Sequence, residues 1–395
     1  MIGTRHAASA VVALVAAAAA VTACAPSRPR ADPTWVPQQS ARPIPMPTPV
    51  PDTGGEGSES SSPNPSQSSG SSSQTQRDAA VVATKLNAPT GVAVLPDGSA
   101  LVAERTTGRI LQVQPVPGRP VRLIRKLTGL STSGGGGLLD IALSPSYRED
   151  RLMLALITTK RDTRVVHFTA YGPVTPILTG IPRGKTDNIG RLLVLGDGSV
   201  LVGTGDAGIA ANAPKLTSRG GKVLRVDELG RPASGNPHPR SVVYTSGHRT
   251  VNGMCFDDVH SVIYETEDGP TGELNRVVAG TDYGWPAGDG QGPVADIPDT
   301  PGLGSCAVLK DTIYVGSLGG KALLRARIDP TTGTISAFTP MIAGQYGRLL
   351  TVVGANDGSL WITTSNKDGH GKPVPADERV LHITPDGGGG GNSPE

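Results

Sequence analysis

The sequence has no excess of either charge: 36 Lys and Arg stand against 34 Asp and Glu, a formal net charge of +2. That balance excludes the broad basic face expected of a nucleic-acid partner, and it leaves no acidic surplus. Long hydrophobic runs are also missing. The longest, Ala7 to Ala20, falls short of the about 20 apolar residues that span a bilayer. No extended segment shows 3.6-residue apolar periodicity, so helices should be few. The phosphate-cradling GxxxxGK[ST] loop and HExxH are absent, and Gly-x-Ser-x-Gly does not occur in the strand–turn–helix setting it needs. Cysteine is limited to three residues, none spaced as CxxC.

Glycine and proline are abundant instead, at 53 and 35 residues. Such an excess means disorder or many tight turns, and the two fall in different places. Arg5 and His6 precede the apolar run, which ends in Val21-Thr22-Ala23-Cys24. A short basic start, an apolar centre and small residues before a cleavage point describe an export signal over residues 1–23. The Val-Thr-Ala-Cys end resembles a lipobox, which makes Cys24 the lipidated (palmitate-type) first residue of an extracytoplasmic, membrane-anchored lipoprotein. An ordinary signal peptide is the alternative. Residues 24–78 are Pro-, Ser- and Gly-rich and cannot offset the entropy of ordering. They read as a disordered tether reaching roughly 40 Å, and residues 387–395 as a disordered tail. Cys255 and Cys306 remain. An exported chain most simply pairs them, for ~4 kcal/mol in the chain-entropy model, and two buried free thiols are the alternative.

From residue 79 the texture changes to short β-branched runs between turn residues. One unit recurs: a turn with Asp or Gly, a short apolar strand, then small or charged residues. It starts at Asp97, Asp150, Asp197, His260, Asp311 and Asp357, at intervals of 53, 47, 63, 51 and 46 residues. That is the spacing of four-stranded blades, so the chain reads as all-β, a six-bladed propeller over 79–386. Val81–Lys85 and Val380–Thr384 are expected to share one blade and close the ring. Residues following the repeated strands should then converge on the axis: Glu104, Arg105, Lys160, Asp206, Glu267 and Asp268. His238, His248, His260 and His370 read as scattered loop residues, and Trp285 and Trp361 as packing.

Several stretches resemble one known family. They are Gly137-Leu138-Leu139, Gly190-Arg191-Leu192, Gly205-Asp206, Gly220-Gly221-Lys222 and Gly247-His248-Arg249, with Asp268 to Asn275 and Asp282-Tyr283-Gly284-Trp285-Pro286 the most specific. In this order, over roughly residues 85–385, they resemble the soluble quinoprotein glucose/sorbosone dehydrogenases, in their actinobacterial lipoprotein branch. The resemblance implies a six-bladed propeller holding pyrroloquinoline quinone and calcium on its axis, and oxidation of aldoses by an aspartate-oriented histidine base. It implies calcium at Gly269 and Pro270, a second calcium at Glu273 and Tyr283, an orienting role for Asp206, and quinone contacts from Arg249 and Arg348.

The departures cut deeper than the matches. The base's position holds Asp187, and the second cofactor arginine is Leu350. Thr250 replaces an asparagine and Gly135 a glutamine. Gly319 replaces a lysine, for which Lys321 is a substitute candidate. Losing charge-assisted contacts worth about 1.5–3 kcal/mol each weakens tricarboxylate binding. Asp187 and Asp206 are expected to face each other, sharing a proton or a cation. Three readings follow: a monomeric envelope lipoprotein with a degraded quinone site that binds a carbohydrate or other envelope ligand, an active quinone- and calcium-dependent aldose or alcohol dehydrogenase with Asp187 as base, or a surface interaction scaffold.

Overall fold

The computed structural model describes residues 78–268, 271–297 and 302–385. The signal segment, Cys24, the tether before residue 78, Gly269, Pro270 and the tail all lie outside the described residues. Within them, 24 strands form six four-stranded antiparallel sheets. Five are continuous in sequence, over 89–126, 138–181, 190–245, 251–297 and 303–343. The sixth takes three strands from 349–383 and its outermost strand, Val81–Ala83, from the other end of the chain. Val81 pairs with Leu381 and Ala83 with Val380, so the ring closes as the sequence predicts. Helix among the described residues is limited to one turn, Tyr147–Asp150, and two short 3-10 turns.

Each repeat is the second strand of its blade, for example Ala100–Glu104, Val200–Thr204 and Leu360–Thr364. The turn before these three strands is built the same way each time. Asp97, Asp197 and Asp357 accept hydrogen bonds from both the amide and the hydroxyl of the serine two residues on, at 2.6–3.0 Å. The glycine between them has φ of 81–83°, a conformation that side chains resist.

The first strands of the blades line the axis and lean on one another. The Thr90 hydroxyl donates to the Leu138 carbonyl (2.9 Å), that of Ser305 to Val352 (3.1 Å), and that of Thr351 to Thr90 (2.6 Å). Approach this close demands glycine at some positions: a Cβ on Gly304 would lie 1.9 Å from the Leu350 carbonyl oxygen. Between neighbouring blades, apolar side chains from both faces form separate core clusters. Cys255 and Cys306 are bonded, joining the first strands of the fourth and fifth blades across a Cα separation of 5.5 Å.

Arg191 stoppers the axis. Buried, it donates to the carbonyls of Asn252 (2.6 Å), Thr90 (2.7 Å) and Leu139 (3.4 Å), on three different blades. Beside it, burial pushes the Asp140 carboxyl up to about 6, against the pull of Arg191. On the side of the Asp-Gly-Ser turns lies a cavity of about 1510 Å³, lined by residues such as Leu95, Asp140, Phe256 and Val308.

Candidate functional site

The other mouth of the channel lies where second strands end and first strands begin, and there the chemistry-bearing residues collect. Gly205 runs against the Asp187 backbone, where a Cβ would come within 2.1 Å of the Asp187 carbonyl oxygen. This presses Asp206 toward the fourth blade, where its amide donates to the Arg249 carbonyl (2.9 Å). Its carboxylate accepts from the Gly208 amide (2.7 Å) and the Trp285 indole N–H (3.0 Å). Segment 282–286 is clipped beneath, with the Tyr283 and Trp285 amides donating to Ser246 and Gly247. The Arg249 guanidinium, on an exposed residue, lies 5.4 Å above the Trp285 ring. Asp268 faces the same arginine. Burial raises its carboxyl, while the Leu303 amide (2.7 Å) and the Arg249 charge hold it down.

A second group forms at the same end around Asp368. Arg348 donates to its carboxylate at 2.8 Å and to the Leu318 carbonyl at 3.1 Å. Arg105 donates to the Gly136 carbonyl (3.1 Å), and its guanidinium, weakened by burial, is supported by the Asp368 charge. Lys321 is an exposed residue of the Leu318–Lys321 turn, in the left-handed region at φ 51°.

Asp187 and Asp206 adjoin through backbone, yet their carboxylates are engaged separately. That of Asp187 accepts the Thr186 hydroxyl (2.9 Å), and both Asp206 oxygens have the partners given above. The expected convergence on the axis holds for part of its set. Arg105, Asp206 and Asp268 belong to this mouth, and the Lys160 side chain is exposed. Glu104 is fully buried in its own blade, paired with Arg109 at 2.6 Å. Trp285 is a polar anchor here, whereas Trp361, with no exposed surface, is core as expected.

His248 departs most from expectation. It is fully buried in the loop between the third and fourth blades. Its Nε2 meets the Thr245 hydroxyl (2.8 Å), and its Nδ1 lies 3.0 Å from Glu267 and 3.5 Å from Glu265. Burial opposes charge on the ring, but the two glutamates overcome it and push its pKa up to about 9. Tyr283 stacks on the imidazole at 4.6 Å, and its phenol is pushed up to about 12 by burial. Glu273 pairs in register with Glu267; burial and that neighbour raise its carboxyl. A signal was present in the sequence. Glu265 and Glu267 lie two apart on one strand and share a face, and two carboxylates on an inward face require a partner.

At this mouth Arg105, Arg249, Arg348 and Lys321 stand beside Asp187, Asp206, Asp268 and Asp368. Each Asp206 oxygen accepts one hydrogen bond and retains a lone pair for another donor. Glu273 and Tyr283 flank His248; the remaining calcium positions, Gly269 and Pro270, are not among the described residues.

Comparison with known proteins follows the fold closely. A PQQ-bound aldose sugar dehydrogenase from Streptomyces coelicolor is 36% identical, superposes with a TM-score of 0.72, and aligns over 76% of this chain and 95% of its own. A putative oxidoreductase (glucose dehydrogenase) from Thermus thermophilus is 31% identical at TM-score 0.70, over 76% and 98%. Quinoprotein glucose dehydrogenase B of Acinetobacter calcoaceticus is 28% identical over 53% of this chain and 52% of that protein, about half its length. The glucose/sorbosone dehydrogenase family model matches residues 86–293. By fold, by motif and by descent, this chain belongs to the glucose/sorbosone dehydrogenase family.

Proposed function

We propose that this is a lipid-anchored extracytoplasmic binding protein whose channel mouth holds a neutral carbohydrate, the quinone chemistry of its relatives having lapsed. The observation that carries this reading is two arginine–aspartate groups at one end of the channel, Arg249 and Asp206 on Trp285 and Arg348 on Asp368. Guanidinium groups only donate and carboxylates only accept, so such pairs suit vicinal hydroxyls, which do both. The aromatic ring offers an apolar platform beside them. Arg191 floors the mouth, so a ligand enters from one side.

The test titrates the full chain in detergent with pyrroloquinoline quinone, with and without calcium, by absorbance and calorimetry, and then with a panel of neutral glycans. The expected result is no quinone binding at tens of micromolar, with glycan binding weakened about tenfold or more by Arg348→Ala, the loss of one charge-assisted hydrogen bond. Tight calcium-dependent quinone binding with dye-linked oxidation of aldoses overturns it. The rival reading, an active dehydrogenase with Asp187 as base, is favoured by the 36% identity to a PQQ-bound relative. It requires Asp187→Ala to abolish that oxidation. The anchor is tested separately: Cys24→Ser should move the protein from the membrane to the soluble fraction.

A further inference from the structure

Beneath the channel mouth lies a group of side chains that sugar binding does not use. His248 Nδ1 and one carboxylate oxygen each from Glu265 and Glu267 lie within 4.8 Å of one another, and all three residues are buried. Glu267 is fixed from behind, its other oxygen accepting the amides of Arg249 and Thr250. Asn275 holds Glu265, donating its amide at 2.8 Å. Two buried oxygens in this group nevertheless lack a partner among the described residues: Oε2 of Glu265 and Oδ1 of Asn275. A buried carboxylate oxygen with no donor is costly, and burial pushes the Glu265 carboxyl up to about 7, so a proton or a cation must meet it.

We infer that His248, Glu265 and Glu267 form a closed binding site for one first-row divalent cation of the zinc type. The nitrogen-to-oxygen distances of 3.0 and 3.5 Å bracket the about 3.3 Å between ligands on a tetrahedral ion bound at about 2.0–2.1 Å. Glu265 Oε2 can close a chelate with Oε1 of the same carboxylate, so the ion has three ligand groups. The Thr245 hydroxyl oxygen can accept a hydrogen bond from Nε2–H, which leaves the Nδ1 lone pair free to bind. A nitrogen donor and a small ligand number select against calcium, which takes 6–8 oxygens. Binding exchanges protons held by the cluster for the cation. Because the Glu267 carboxylate also holds the Arg249 and Thr250 amides, the ion would brace the backbone under the mouth. The inference does not depend on the sugar reading.

The experiment is elemental analysis of the untagged full chain, followed by chelation and thermal unfolding with and without zinc chloride. One equivalent of a first-row metal is expected, with zinc raising the Tm of the chelated chain by about 5 °C at a hundredfold excess over Kd. Glu265→Gln, which keeps the shape and the Asn275 contact, should retain less than a tenth of that metal and lose the Tm response. Glu267→Gln serves as the second variant. The inference is overturned if the wild-type chain carries no such metal and zinc leaves its Tm unchanged. It is equally overturned if calcium alone is retained, or if both variants bind zinc as the wild type does.

Discussion

The seam between the fourth and fifth blades and the seam between the third and fourth are made by the same strand pattern but filled differently. The first buries thirteen core residues, Leu274, Leu303 and Ile313 among them, and is crossed by the Cys255–Cys306 bond. The second has a cluster of five, Leu201, Val223, Val251, Met254 and Val277. Alongside it lie His248, Glu267, Lys222 and the Asp206–Trp285 pair. Stability is concentrated where no chemistry occurs, and buried polar groups where a ligand or ion can act. The same ring can tolerate a weak seam because the neighbouring one is strong.

The largest effect should come from breaking the strong seam. Replacing both cysteines by serine removes a crosslink closing a 51-residue separation, and should cost about 4 kcal/mol in denaturant unfolding. A loss below about 1 kcal/mol would show the apolar cluster to be sufficient alone. Next, Leu303→Ala should cost about 3 kcal/mol through the cavity it leaves. On the weak seam, Trp285→Phe should cost about 1–3 kcal/mol, because Asp206 Oδ2 loses its donor, and it should weaken glycan binding in the same preparation. An unchanged Tm would mean that water replaces the indole.

The last effect appears as a slope in pH. Lys222 donates to the carbonyls of Asn212, Ala213 and Gly220, and burial lowers its pKa from 10.5 to about 8, against the Asp282 charge. Between those values the unfolded chain holds the extra proton, so this lysine makes stability rise with pH from about 8 to 10.5. Lys222→Met should lack that rise in unfolding curves taken across the window. Identical slopes in both chains would place the proton elsewhere.

The fold was legible because blades repeat. Asp-Gly-Ser at 97, 197 and 357 announces the same hairpin each time, and ring closure follows from an unpaired strand at each end of the repeats. The disulfide was legible from the two cysteines that remain once Cys24 is assigned to the expected lipobox. The site was legible only in part. Motif order marked Asp206, Arg249 and Arg348, but the Asp368 group depends on a turn following the sixth blade's second strand, which no motif marks. His248 sits in a loop by sequence; only the fold reveals that this loop is driven between two blades, where polar side chains are buried with their partners. Asp187 shows the converse. Its backbone arrives where the sequence places it, while its carboxylate turns to Thr186.

The closing blade has a mechanical consequence. Val81–Ala83 is the outermost strand of its sheet, and Asp78 just before it accepts the Tyr346 hydroxyl at 2.7 Å. A pull transmitted through the preceding chain therefore falls first on a peripheral strand held by few rungs. It would peel this strand from Val380–Ile383 before the load reached the inner ring. Such an edge strand would serve as a fuse, yielding ahead of the inner strands that carry the channel mouth.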